Sequence, residues 1–427
     1  MTKTKWDTLD RYLILSSDAH AGAQNAQYKD YLDRDLHDEF DAWLASVVNP
    51  WHNTADTTNW DSADRLAAMD RQGVCGEVIF PNTLPPFFDV LAHLSGTPRD
   101  RAEFDRRWAG LRAHNRWLVE FCQELPDRRR GLIQLLPNDV DAAVDELRWA
   151  SQQDVIGGVM LPAVPPNHPV EPYYHERYDP LWHAAVECGL PVHQHQGSGS
   201  PDTMRHLPVH RSVTYVDHEM WTRFTLSHLI VGGVFERHPE LKFVWTEMPG
   251  LRWVVEDLER ITRQLRVLQS RYADDPTQLN FFRTFGSDIV EGLSLTPIEY
   301  LRRDCYIGAS LVSPFDVPYI NVIGTDRIMW GHDAPHEEGS SGLTIESLRI
   351  NFSGFSVDEC RQMFTSTAAD LYHFDLDRLA PIAAQIGPPI ALVHTPLPEA
   401  DRPKAKGSAF WTPTELRRVL DEHVSWR

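Results

Sequence analysis

Short apolar runs alternate along the chain with longer stretches in which apolar residues recur at helical spacing. The runs Tyr12–Ser17, Gly76–Phe80, Gly131–Leu136, Gly157–Leu161, Pro191–His195, Lys242–Glu247, Cys305–Ala309 and Arg327–Gly331 predict strands. Between them, Ser62–Gln72, Arg101–Glu124, Val140–Gln153, Tyr178–Cys188, about Asp217 to Arg237, Leu251–Ser270, Phe315–Ile323 and Val357–Tyr372 predict helices. Asn138 and Asp139 stand where a helix cap belongs, ahead of Val140. Phe281–Leu301 carries no decisive pattern. Strands alternating with helices over this length predict a closed (β/α)8 TIM barrel rather than an open doubly wound sheet. No GxGxxG or P-loop follows any run, which removes the nucleotide-binding alternatives.

Two segments break the rhythm. Residues 23–61, through Trp43, Trp51 and Trp60, form an insertion too long for a plain loop and are expected to act as a lid. The barrel is expected over residues 1–374. Beyond it, residues 375–427 are proline-rich (Pro381, Pro388, Pro389, Pro396, Pro398), with a helix expected at Thr412–Val424. This extension reads as an arm packed on the barrel or on a neighbouring subunit, as in a homodimer.

Composition narrows the function without naming it. Lys and Arg total 41 against 61 Asp and Glu, a net charge of −20, which opposes nucleic-acid binding. No run of about 18 apolar residues is present, so no membrane span is expected. The N-terminal Met1-Thr-Lys-Thr-Lys-Trp-Asp7 has no apolar signal core, and Cys75, Cys122, Cys188, Cys305 and Cys360 are far apart without a CxxC pair. A cytoplasmic protein acting on a small or peptide-derived molecule is the expectation.

The chemistry sits at three strand ends. Leu13-Ile-Leu-Ser-Ser-Asp18-Ala-His20 places Asp18 and His20 two residues apart, on one face of an extended chain. Leu190-Pro-Val-His193-Gln-His195 does the same with two imidazoles, His195 nearest the tip and His193 deeper. Ile328-Met-Trp-Gly-His-Asp-Ala-Pro-His336 ends its strand in Asp333. Carboxylate and imidazole at the C-terminal ends of barrel strands are the donors of a catalytic divalent ion. Asp18, His20, His195 and Asp333 are the candidate ligands.

These pieces resemble the amidohydrolase superfamily: the Asp-x-His of the first strand, the Leu-Pro-Val-x-x-His of the fifth and the Trp-Gly-His-Asp-Ala-Pro-His of the eighth. Gly233-Val-Phe-Glu-Arg-His-Pro-Glu-Leu-Lys242, Arg130-Gly-Leu and Tyr178-Asp-Pro-Leu-Trp182 are similar to its amidohydrolase-related branch, which includes aminocarboxymuconate semialdehyde and hydroxybenzoate decarboxylases and assorted hydrolases. The resemblance runs from about Leu13 to Phe374. It implies one divalent ion, zinc as the first expectation and manganese or iron(II) as alternatives. The branch commonly carries His-x-His at the first strand, where this chain has Asp18. Several of its decarboxylases carry a His at the end of the sixth strand, where this chain has Glu247.

The Glu247 departure tips the expected reaction towards hydrolysis of an amide or related acyl bond by an activated water. Non-oxidative decarboxylation of an aromatic or unsaturated acid is the alternative. Asp333, Glu247 and His336 are the candidate catalytic residues: Asp333 to move the proton, Glu247 to take a proton or bind a cationic group, His336 to orient Asp333 or touch substrate. His332 is expected to point away from the ion, and His228 to be structural.

Overall fold

The apolar runs fold as β1 (Ile14–Ala21), β2 (Val74–Pro81), β3 (Arg129–Gln134), β4 (Ile156–Met160), β5 (Val192–His195), β6 (Phe243–Thr246), β7 (Cys305–Ala309) and β8 (Ile328–Trp330). They pair in parallel and in chain order in this computed structural model, which describes residues 6–47, 56–164, 168–199, 209–217, 219–270, 287–404 and 407–411. The two edges meet. Ala19 bridges Ala334 in parallel, the Asp333 N–H donates to the Asp18 carbonyl at 3.0 Å, and the His20 N–H donates to the Ala334 carbonyl at 2.6 Å. With helices between the strands, the architecture is the expected (β/α)8 barrel. Its closing seam lies beside Asp18, His20 and Asp333, so the contacts that shut the barrel also fix the candidate site.

Every strand is buried along nearly its whole length, as parallel strands covered by helices must be. Alternation divides their side chains. Leu13, Leu15, Val78, Phe80, Leu132, Met160, Val244 and Met329 fill the barrel interior, while Ile14, Ile79, Ile133, Val159, Trp245 and Trp330 face the helix ring. A register irregularity between Ser16 and Ala19 shifts the phase of β1. Odd-numbered Leu13 and Leu15 point inwards below it, and even-numbered Asp18 and His20 do so above it, which is how a bulge re-aims a side chain beside a site.

The helices follow the apolar spacing. Ser62–Gln72 starts under Asp61, whose carboxylate accepts from the Ala63 and Asp64 N–H groups, and stops at Gly73 with φ of 73°. The stretch after Asp217 divides at Gly232-Gly233 into Glu219–Val231 and Val234–Arg237. The described part of the undecided 281–301 stretch holds two helices, Ser287–Glu291 and Pro297–Asp304.

The proline-rich segment opens with a helix, Leu376–Ile386, although Pro381 lies inside it. An interior proline costs about 3 kcal/mol. Burial of Leu379 returns about 1.5–3 kcal/mol and Ala380 and Ala383 add to it, so the helix forms. Leu379 and Ala383 pack with Leu13, Leu15, Tyr372 and Phe374, at the end of the barrel away from the Asp18–His20 tip. Trp51 and the expected helix Thr412–Val424 lie outside the described residues.

The insertion lies against the helix Arg101–Gln123 and the loop after β2. The Trp43 indole N–H donates to the Phe88 carbonyl at 2.9 Å, and the Tyr28 hydroxyl bridges Thr83 (2.7 Å) and His114 Nδ1 (2.8 Å). Burial pushes His114 from 6.5 down to about 3. The unfolded chain therefore binds a proton below pH 6.5 that the folded chain refuses. This contribution to stability is present above pH 6.5 and is lost as pH falls towards 3. Between pH 6.5 and 4.5 the group should cost about 2–3 kcal/mol. Chemical denaturation across that range should show a shallower acid loss in His114→Gln than in the wild type; equal slopes would contradict this.

Candidate metal centre

The strand tips converge on one buried cluster. From β1 come Asp18 (0% exposed) and His20 (1%); from β5 comes His195 (4%). Glu247 (5%) follows β6 and Asp333 (0%) follows β8. His20 Nε2 lies 3.2 Å from Asp18 Oδ1, 3.2 Å from Asp333 Oδ1 and 3.6 Å from Glu247 Oε2. His195 Nε2 lies 2.9 Å from Glu247 Oε2 and 3.8 Å from Asp18 Oδ1. One atom from each of Asp18, His20, His195 and Glu247 falls within 4.8 Å of the others, and so does one from each of His20, Glu247, Asp333 and His336. The sequence-derived ligand candidates are thus brought together. Asp333 joins through the second, overlapping group, and Glu247 belongs to both.

Backbone geometry explains two of these placements. Along β6, Val244 faces the interior and Trp245 the helices. Simple alternation would point Glu247 outwards, but its φ of +59° turns the side chain back into the mouth. Asp333 has φ of +55°. Gly331 lets β1 and β8 approach, because a Cβ there would lie 2.7 Å from Asp18 Cβ and 2.7 Å from Ser310 Oγ.

The cluster passes the test of an ion site. Asp18 Oδ1, His20 Nε2, His195 Nε2, Glu247 Oε2 and both Asp333 oxygens are buried without a hydrogen-bond partner. Such groups are costly unless something fills the space among them. The opposite atoms are tethered. His20 Nδ1 lies 3.2 Å from the Pro81 carbonyl, His195 Nδ1 lies 3.1 Å from the Gln196 carbonyl, and the Ser310 hydroxyl donates to Asp18 Oδ2 at 2.5 Å. Tethering Nδ1 by its N–H leaves the Nε2 lone pair of both imidazoles free inwards, the form a metal requires. The donor set is a buried His, Asp and Glu group fit for a metal ion.

The ionisation pattern agrees. Burial opposes the charge on Asp18, but the His195 and His20 imidazoles beside it bring its carboxyl down to about 2. Burial also opposes the charge on His195, yet the Glu247 carboxylate and then Asp18 hold it up at about 10. His20 stands well above its ordinary value against the same burial, through Asp18, Asp333 and Glu247. Protons on the imidazoles thus do for the carboxylates what a cation does, and a cation displaces them on binding.

His336 is the half-buried member. Its Nδ1 lies 2.8 Å from Asp333 Oδ1 and its Nε2 lies 3.0 Å from Asn82 Oδ1. His193 points down the barrel, Nε2 3.0 Å from the Tyr372 hydroxyl, and burial holds it at about 3, a neutral core histidine. His332 is fully buried but turned away, its Nδ1 2.7 Å from Ser16 Oγ and its Nε2 3.3 Å from Glu77 Oε1. His228 packs edge-on to Tyr174 and is held at about 4 by burial.

Sequence reasoning missed two members. His93, on the turn Ala92–Leu94, packs its ring edge-on to His195 at 5.1 Å between centroids, and its Nδ1 is buried without a partner. Burial, then the charges of His195 and His20, hold it well below its ordinary value. Its loop has no periodicity to mark it. Ser310 stands one residue beyond β7 and was equally unmarked, although the end of a barrel strand is itself a signal.

Comparison with known proteins places this geometry. Residues 48–374 match the profile of the amidohydrolase family. The gamma-resorcylate decarboxylase of Rhodococcus jostii (strain RHA1) is 26% identical over 282 residues, covering 62% of this chain and 77% of that protein. An amidohydrolase of Mycobacterium avium subsp. paratuberculosis K-10 superposes with a TM-score of 0.60 at 21% identity, covering 84% of this chain and 99% of that one. The 5-carboxyvanillate decarboxylase of Novosphingobium aromaticivorans DSM 12444, solved with manganese and 4-hydroxy-3-methoxy-5-nitrobenzoic acid, gives a TM-score of 0.60 at 17% identity, covering 87% of this chain and 100% of that one.

The expectation of amide hydrolysis is thereby corrected. The curated relative, 26% identical over 282 residues, is a decarboxylase. The cue was the absence, at the position of Glu247, of the histidine that several decarboxylases of the branch carry. In the structure Glu247 lies 2.9 Å from His195 inside a group that could hold an ion, so its place there says nothing about the bond broken. With the profile spanning most of the chain and the donor set at its strand tips, this protein is an enzyme of the amidohydrolase family.

Proposed function

We propose that this enzyme is a metal-dependent, non-oxidative decarboxylase of an aromatic or unsaturated carboxylic acid. The observation that carries the reading is the match to the gamma-resorcylate decarboxylase over 77% of that protein's length. The five free cysteines accord with work in a reducing cytoplasm.

Asp18, His20, His195 and Glu247 would hold the ion, and Asp333 stands beside them in the second, overlapping donor group. Manganese(II) is the proposed ion rather than zinc, because carboxylate oxygens make up half of the four donors and hard oxygen donors suit manganese. When bound, the ion would supply positive charge that attracts the substrate carboxylate and stabilises negative charge developing on the ring.

The remaining work falls to the chain. Asp333 Oδ1 delivers a proton to the carbon that bears the carboxylate. The carbon–carbon bond then breaks and its electron pair returns to the ring as carbon dioxide leaves. His336, 2.8 Å from Asp333 and half-buried, returns a proton from solvent to the carboxylate. Asn82 holds the far nitrogen of His336 and keeps the pair aligned.

Incubation of manganese-loaded protein with gamma-resorcylate, 5-carboxyvanillate and related acids should release carbon dioxide. Amide cleavage without carbon dioxide from any such acid would overturn the reading. Chelation should lower the melting temperature, and manganese restored to 100 times its Kd should return about 2.7 kcal/mol of stability. An unchanged melting curve would contradict the ion.

A further inference from the structure

Behind the ligand group runs a ring of buried polar side chains that touches none of the proposed reaction's atoms, hydrogen-bonded except at the His332–Glu77 contact. Ser16 Oγ donates to the Asp18 carbonyl at 2.7 Å. Because the serine has spent its only hydrogen, Ser16 Oγ must accept from His332 Nδ1–H, 2.7 Å away; it also accepts from the His332 backbone N–H at 3.1 Å. His332 Nε2 faces Glu77 Oε1 at 3.3 Å. Glu77 Oε2 takes the Arg65 Nε–H at 2.7 Å, and Arg65 Nη1 donates to the His20 carbonyl at 2.6 Å. The ring therefore starts on one carbonyl of the Asp18-Ala19-His20 segment and ends on the other. Its members are at most 2% exposed: Ser16 and His332 0%, Glu77 1% and Arg65 2%.

Burying an arginine and a glutamate costs several kcal/mol of desolvation per ion, and a hydrophobic pair of the same volume would serve stability as well. What such a pair cannot do is hold two carbonyls at fixed directions. The segment needs that hold, because the β1 register irregularity lies at Ser16–Ala19 and loosens its strand pairing there. A cavity of about 380 Å³ also opens against the ring, lined by Arg65, Glu77 and His332 but by none of the ligand candidates. The ring is the wall between that cavity and the ion group.

We infer that Ser16, His332, Glu77 and Arg65 are positioning residues for the ion: by fixing the Asp18 and His20 carbonyls they set the angle at which those side chains meet it. The inference rests on the ion reading of the preceding subsection. It predicts that the ring acts on the ion's coordination, not merely on the fold.

The test uses full-length Ser16→Ala and Arg65→Lys, the second keeping the charge but losing the forked donor. Manganese affinity and the electron paramagnetic resonance spectrum of the bound ion are read beside the melting temperature of the ion-free protein. Both variants should bind manganese about 10–100-fold more weakly and show an altered zero-field splitting. Wild-type affinity and spectrum in a folded variant, whatever its melting temperature, would overturn the inference and leave the ion reading intact. If wild-type protein itself binds no manganese, the ion reading falls first and the positioning role with it. Should Ser16→Ala fail to fold, Arg65→Lys decides alone.

Discussion

Asp333→Asn is expected to lower kcat by about 10²–10⁴-fold, the range a positioned proton donor contributes, while the ion stays bound. Asparagine keeps the shape of aspartate and tolerates the positive φ of 55° found here, so backbone strain does not confuse the result. Retention of the ion follows because Asp18, His20, His195 and Glu247 form a complete four-donor group without Asp333. What the substitution removes is the carboxyl that exchanges a proton with His336. Metal analysis and single-turnover carbon dioxide release on the same sample separate the two roles. Activity within tenfold of wild type would contradict the assignment; loss of the ion would make Asp333 chiefly a ligand.

Glu247→Gln should act the other way round, on the ion first. Glu247 is shared by both overlapping donor groups and lies 2.9 Å from His195 and 3.6 Å from His20. The His195 charge, working against burial, holds its carboxyl well below the ordinary range, so it meets an ion as a carboxylate. Glutamine fills the same space without the charge. Manganese affinity should therefore fall by more than the about 10–100-fold that loss of a merely supporting partner costs. Equilibrium titration of manganese measures this, and an affinity equal to wild type would show that Glu247 is no ligand.

The barrel was legible because most strands carry a short apolar run, too short for a helix and bounded by loop residues. Cys305–Ala309 matches its predicted bounds, and the others shift by a few residues. Asp18, His20, His195 and Asp333 were legible for the same reason, as polar side chains ending apolar runs. Less visible were features that depend on contacts distant in sequence. The Pro381 helix forms because Leu379 and Ala383 pack against the end of the barrel, which local propensity cannot foresee. Glu247 was seen at its strand tip, but the positive φ that carries it into the ligand group leaves no mark in composition. His93 reaches His195 from a loop after β2, and no spacing rule links the two. The reaction itself was not legible, because the absence of a histidine at the position of Glu247 was weighed against decarboxylation.

One measurement bears most directly on the convergence of these strand tips: diffraction from crystals of manganese-loaded protein recorded at the manganese absorption edge. A single anomalous peak at about 2.0–2.3 Å from donor atoms of Asp18, His20, His195 and Glu247, with Asp333 beside it, is the expected result. No peak there, or a peak at some other group of residues, would contradict the metal centre and the decarboxylation assigned to it.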